Sequence, residues 1–262
     1  MSQVVNGSAL KTLFKFPFQG QDWRNRFLIG SALLLASMLI PIVPALFVAG
    51  YALIILRQVV KGEKAELPPW TEWGKLAVDG LRAGLIALVY LLPGILVIIV
   101  GFVIYFVAVF ASIPLAETAG RSGDASVVTF LAMLYGSMGV MFICMALGML
   151  LLILGSIPLP AALAHFAIRD NVSAAFRVRE WWPLLRANAL GYFIAWVVIT
   201  GLYGILYTAI MVVYYSIVGC CFVPFLSAPI GFYLTVVGAG LFGQTYRESE
   251  AILAARKGLP VS

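Results

Sequence analysis

Charge is what this sequence has least of. Asp, Glu, Lys and Arg make up 11% of its 262 residues, where a soluble domain carries about a quarter. That scarcity excludes a water-soluble globule with an ionised surface. Histidine occurs once, at His165, which excludes a multi-histidine metal site within one chain. Of the three cysteines, Cys144 lies inside an apolar run and reads as a small filler. Cys220 and Cys221 are neighbours, and only a strained vicinal disulfide would join them. Stretches of about ten residues with alternating polarity are absent, which excludes a membrane β-barrel and leaves helices to satisfy the backbone. Carboxylates and arginines, the usual mark of an ion or proton path, are almost missing from the apolar runs. This argues against ion-coupled transport and hydrolytic catalysis alike, and no catalytic, cofactor-binding or metal-ligating set is expected. Residues 1–26 hold no continuous apolar core ahead of their basic residues, so no cleavable signal peptide is expected.

What fills the chain is hydrocarbon: 63% of residues are hydrophobic and the mean hydropathy is +1.04. Charge-free runs extend from Phe27 to Leu56, from Ala83 to Ala116, from Ala125 up to Arg169 with His165 as the interruption, and from Ala187 to Tyr246. Each exceeds the roughly 20 residues of a spanning helix, and the last is long enough for two. The expected fold is all-α: a polytopic integral membrane bundle over residues 27–246, with an interfacial segment (1–26) before it and a tail (247–262) after it.

A net charge of +6 would point a soluble protein towards nucleic acid. Here its distribution points to a membrane surface instead, and no nucleic-acid partner is expected. All the lysines and arginines except Arg121 fall into four groups: Lys11, Lys15, Arg24 and Arg26; Arg57, Lys61, Lys64, Lys75 and Arg82; Arg169, Arg177, Arg179 and Arg186; Arg247, Arg256 and Lys257. The positive-inside rule puts all four on the cytoplasmic side of the cell membrane. Both ends of the first apolar run are then on one side. Pro41-Ile42-Val43-Pro44 splits that run into two short pieces, which favours a hairpin that enters and returns; a single kinked span remains the alternative.

Residues 57–82 are the richest run of charge and are expected to lie on the membrane surface. After Pro68-Pro69, the charges Glu72, Lys75, Asp79 and Arg82 recur at helical spacing, with Trp70, Trp73, Ala77, Gly80 and Gly84 on a second stripe. Asp79 and Arg82, three apart, are expected to pair. Residues 161–187 repeat the design, with a polar boundary role for His165. The candidate lipid or partner surface is therefore Trp70, Trp73, Lys61, Lys64 and Lys75 together with Arg177, Arg179, Trp181 and Trp182. Pro93 is expected to kink the second span, and a short external loop is expected at 120–126 near Glu117.

Small residues mark expected helix contacts. Gly136, Gly139 and Ala146 are expected to hold the third segment at its middle. In the last helix Ser227, Gly231, Thr235, Ala239 and Gly243 fall four apart and form a packing groove for a helix of the same chain, with a homo-oligomer face as the alternative. Gly238-Ala239-Gly240-Leu241-Phe242-Gly243 matches the dinucleotide fingerprint in letters only, because no strand precedes it. Pro41 to Tyr51 and Pro224 to Tyr233 form a faint internal echo, a pattern some transporters carry.

Phe16-Pro17-Phe18 followed by Asp22-Trp23, then Gly50-Tyr51, Leu67-Pro68 with Trp70 and Trp73, Asp79-Gly80, Tyr90 with Pro93, and Gly243-Gln244 with Tyr246 occur in this order along nearly the whole chain. In these the chain resembles a family of prokaryotic polytopic membrane proteins catalogued as a domain of unknown function, the DUF4013 type. More loosely it resembles the membrane domain attached to some bacterial glycerophosphodiester phosphodiesterases, which implies fold and not activity. Neither resemblance supplies catalytic residues. The functional expectation is a non-enzymatic accessory or organising protein that engages anionic lipid or a membrane partner. A transporter or lipid-translocating protein is the alternative, and a membrane enzyme comes third.

Overall fold

The computed structural model describes residues 7–122, 124–216 and 219–258, all in helices and their connections, with no strand among them. The helices are α1 (Gly7–Lys15), α2 (Trp23–Ala36), α3 (Val43–Val60), α4 (Trp73–Ser122), α5 (Asp124–Ser156), α6 (Leu159–Arg169), α7 (Val172–Phe176), α8 (Val178–Ala187), α9 (Ala189–Tyr214) and α10 (Gly219–Arg256). Among the described residues, five segments are long and apolar enough to cross a membrane: Val43–Val60, Trp73–Pro114, Val127–Arg169, Ala189–Tyr214 and Cys221–Arg256. The expected loop at 120–126 is shorter than anticipated, because α4 runs to Ser122 and α5 begins at Asp124. The side chains of Glu117, Arg121, Asp124 and Cys220 lie outside the described residues.

The chain divides into two compact units. The first comprises Met1–Ile86 and Pro158–Ser262, and the second Ala87–Ile157.

In the first unit α10 is the central helix, packed against α1, α2, α3, α6, α8 and α9. Its small residues make this possible. A Cβ on Gly231 would stand 3.5 Å from Leu34 of α2, one on Gly238 3.5 Å from Ile199 of α9, and one on Gly243 3.1 Å from the Leu56 carbonyl of α3. The glycines of the fingerprint-like run thus each serve a different neighbour, Gly240 receiving Phe16 and Leu13 of the amino-terminal segment. Of the groove, Thr235 meets Tyr203 of α9 through their hydroxyls, 3.0 Å apart. The groove is accordingly used, at these positions, by helices of the same chain. Because α10 continues to Arg256, most of the expected tail is helix.

The first apolar run forms the hairpin. Helix α2 has 14 residues and α3 has 18, about 21 Å and 27 Å of rise. Between them Ile42 takes φ 80° and ψ −63°, and the Val43 amide donates to the Pro41 carbonyl at 3.1 Å. This is a γ-turn, strained for a β-branched residue. The tip is oily and open: Met38, Leu39, Ile40, Ile42 and Val43 are all exposed. At the other end, the Arg26 guanidinium donates to the Leu67 carbonyl and the Trp70 indole donates to the Arg26 carbonyl at 2.9 Å. The start of α2 and the chain leaving α3 are therefore at one level, which settles the hairpin against a single kinked span.

The second unit is an antiparallel helix pair made by α4 from residue 87 onwards and by α5. Gly94 faces Gly148 and Leu152, Gly101 faces Cys144, and Gly155 faces the Tyr90 carbonyl. Cys144 fills the space over Gly101, as a small side chain should. The contact stripe is thus Cys144, Gly148 and Gly155, not the expected Gly136, Gly139 and Ala146, which are exposed. Spacing alone did not tell which of two small-residue stripes on one helix would meet its partner.

Candidate functional site

Helix α3 ends where it does because Gly62 adopts φ +79°, the left-handed conformation that glycine enters without a Cβ penalty. The Gly62 amide donates to Val59 O and the Glu63 amide to Gln58 O, both at 3.0 Å. This is a Schellman cap, and it satisfies carbonyls that the helix leaves open. Residues 63–72 then run without helix. Proline holds the residue before it in extended backbone, and Leu67 and Pro68 are buried. Their carbonyls find donors in the Arg26 guanidinium and, at 2.7 Å, the Tyr51 hydroxyl. Trp70 stacks on Tyr51, centroids 4.0 Å apart and planes at 8°.

This overturns part of the expected surface. Trp70 is buried at 8% exposure and Trp181 at 2%, so neither floats among headgroups. Helix α4 begins at Trp73, three residues later than the stripe required, and the extended Pro68-Pro69 turns Trp70 inward. Trp181 is held in by its indole donating to the Ala175 carbonyl at 2.9 Å. Trp73, Trp182, Lys61, Lys64, Lys75, Arg177 and Arg179 are exposed, Trp182 under the Arg186 guanidinium at 5.4 Å. Residues 161–167 do not lie on a surface either: that part of α6 is a mostly buried, alanine-rich helix against α3 and α10, and exposure begins at Ile168 and Arg169.

Behind the exposed cations is a charge network that ties three helix ends together. Gly50 and Gly80 let α3 and α4 cross backbone to backbone, Gly50 against the Leu76 carbonyl and Gly80 against the Leu46 carbonyl. That crossing sets Asp79, with 4% of its side chain exposed, 3.6 Å from Arg57 and 3.8 Å from Arg82. The expected pair is therefore present, but as part of a larger set. Arg57 also donates from Nε to the Ala167 carbonyl at 2.7 Å and approaches Asp170, just after α6, at 3.5 Å. Sequence reasoning placed Arg57 among the cytoplasmic cations at the start of the connector but gave it no partner.

His165 is buried and engaged on both ring nitrogens, with the Tyr246 hydroxyl 2.9 Å from Nδ1 and Glu180 3.0 Å from Nε2. It joins α6, α8 and α10 and is more deeply structural than a boundary residue. With both nitrogens occupied it has no free position for a substrate or metal. Arg177 reaches Glu180 at 3.3 Å. The His165 hydrogen bond, and after it Arg177, hold the Glu180 carboxyl below its ordinary value of 4.5. A depressed acid stabilises the fold above its unfolded pKa, and the contribution is lost as pH falls through the folded value. Between about pH 5 and about pH 3, the thermal midpoint of the wild type should therefore fall more steeply than that of Glu180→Gln. Superimposable melting curves would contradict this contact.

A cavity of about 320 Å³ opens between the last turns of α3, the connector and the start of α4. Its wall contains Arg57, Gln58, Lys61, Glu63, Glu72 and Lys75, with Pro68, Pro69, Ile54 and Leu76 as the apolar part. No group of three His, Cys, Asp or Glu side chains able to hold a metal ion occurs among the described residues.

The basic groups converge on one end. Arg26 sits on the connector at Leu67, Arg57 on the end of α6 and the start of α4, and Gly62 beside Arg247 of α10. A helical membrane protein of several spans, apolar along its helices and cationic at one end of its larger unit, is the class these features define. The family model for DUF4013, a protein family of unknown function, matches residues 33–215, and the chain belongs to that family. No curated protein and no solved structure matches it.

Proposed function

We propose that the protein is a non-enzymatic accessory or organising component of the cell membrane, whose cationic end lies on the cytoplasmic side and binds anionic lipid headgroups. The observation that carries this reading is the convergence of four sequence-distant basic groups on one end of the first unit. Within those groups Lys64, Lys75, Arg177 and Arg179 are exposed, as are Trp73 and Trp182. Cations at a membrane surface gain on the order of 1 kcal/mol each from anionic lipid. Tryptophan prefers the same depth.

The test is the lipid retained when the protein is extracted with its surrounding bilayer. Anionic phospholipid should be enriched over the bulk membrane around the wild type. The enrichment should be lost in the triple variant Lys64→Gln, Arg177→Gln, Arg179→Gln. Bulk-like lipid around the wild type, with a stoichiometric membrane protein retained instead, would replace lipid with a protein partner. Movement of phospholipid between leaflets of reconstituted vesicles would replace it with translocation.

A further inference from the structure

The cavity at the end of α3 differs from the cationic rim around it, because its wall carries both signs of charge. Arg57 is committed to Asp79, Asp170 and the Ala167 carbonyl, and Lys75 lies 3.4 Å from Glu72. Lys61 and Glu63, two residues apart across the Gly62 turn, form no ion pair among the described residues and face the cavity with opposite charge. One further polar atom of the wall, Gln58 Oε1, is buried and makes no hydrogen bond within the chain. Buried polar groups are nearly always bonded, so such an exception beside a cavity marks a place where a ligand can supply the donor. The depth is equally specific. Ile54 and Leu76 form the side of the cavity towards the apolar helices, while Lys61 and Glu63 sit where α3 ends and the chain turns polar.

We propose that this cavity receives a phosphoethanolamine headgroup, with the phosphate on Lys61 and Lys75 and the primary ammonium on Glu63. The volume suits a small polar ligand. An ammonium that keeps its hydrogens donates to a carboxylate, whereas a trimethylammonium has none to give. An anionic headgroup of the glycerol type would meet the lysines but face Glu63 and Glu72 with like charge. The acyl chains of a lipid so held would lie along the apolar turns that begin at Ile54 and Leu76. This inference rests on the membrane placement of the charged end proposed above, but not on its preference for anionic lipid.

Delipidated full-length protein in detergent, titrated with phosphatidylethanolamine, phosphatidylcholine and phosphatidylglycerol of identical acyl chains and read by native mass spectrometry, tests it. Phosphatidylethanolamine should bind about tenfold tighter than phosphatidylcholine, the effect of one charge-assisted hydrogen bond. Glu63→Gln should erase that discrimination, and Lys61→Glu should weaken phosphatidylethanolamine by a similar factor. Equal binding of the two zwitterionic lipids by the wild type, or discrimination that survives Glu63→Gln, would overturn the proposal. Displacement of the lipid by water-soluble phosphoethanolamine at equal concentration would overturn the lipid as source, and failure to displace it supports the lipid. Loss of anionic enrichment in bilayers with ethanolamine selectivity intact would refute the rim and leave the cavity standing, and the reverse result would do the opposite.

Discussion

Gly80→Ala is expected to abolish folding or cost more than about 3 kcal/mol, while Gly74→Ala, earlier on the same helix, is expected to be neutral or to gain up to about 1 kcal/mol. The two glycines differ in what a methyl group would meet. At Gly74 nothing lies within 4 Å, whereas at Gly80 the added carbon would overlap the Leu46 carbonyl and crowd the Gly50 amide. Those are backbone atoms of a neighbouring helix, which cannot rotate away as a side chain would. The α3–α4 crossing also sets Asp79 against Arg57, so forcing the helices apart breaks the charge network with the packing. Thermal midpoints of both variants in one detergent, with monodispersity on size exclusion, decide the matter. Equal stability of the two would show that the close crossing is not required.

The second large effect belongs to Arg57. Arg57→Met should destabilise by about 3 kcal/mol, because Asp79, with 4% of its side chain exposed, is left with only Arg82 at 3.8 Å. The Ala167 carbonyl loses its 2.7 Å donor as well. Adding Asp79→Leu to that variant should recover most of the loss, since a buried pair replaced by apolar groups of similar volume is often tolerated where a broken pair is not. A double variant as unstable as the sum of the singles would mean that the two residues act separately.

These two sites were unequally visible in the sequence. The spans were legible because lipid as solvent demands long uncharged runs, and the hairpin because two prolines and a basic group at each end left few other solutions. The intrachain use of Gly231, Thr235 and Gly243 was legible from fourfold spacing. Trp70 was misread because its spacing from Trp73 and Ala77 fits a helix. The backbone there is extended after Pro68-Pro69, and its ring stacks on Tyr51 from a helix 19 residues earlier, a distance over which periodicity carries no information. The Arg57–Asp79–Asp170 set was invisible for a like reason: its members lie on three separate segments, and only the crossing at Gly50 and Gly80 brings them together. Gln58 and Glu63 were not singled out because a cavity wall has no local pattern.

The central claim is that the four basic groups, Arg121 being outside them, belong to one face of the membrane, with the first apolar run returning to the face it left. In a background with Cys144, Cys220 and Cys221 replaced by serine, single cysteines at Lys11, Lys61, Arg177 and Lys257 can be probed with a membrane-impermeant maleimide in sealed vesicles of known orientation. All four should react from the same side, and a cysteine at Ile40, on the exposed apolar tip, should react from neither. Lys11 and Lys61 labelled from opposite sides would contradict the hairpin and, with it, the single cationic face.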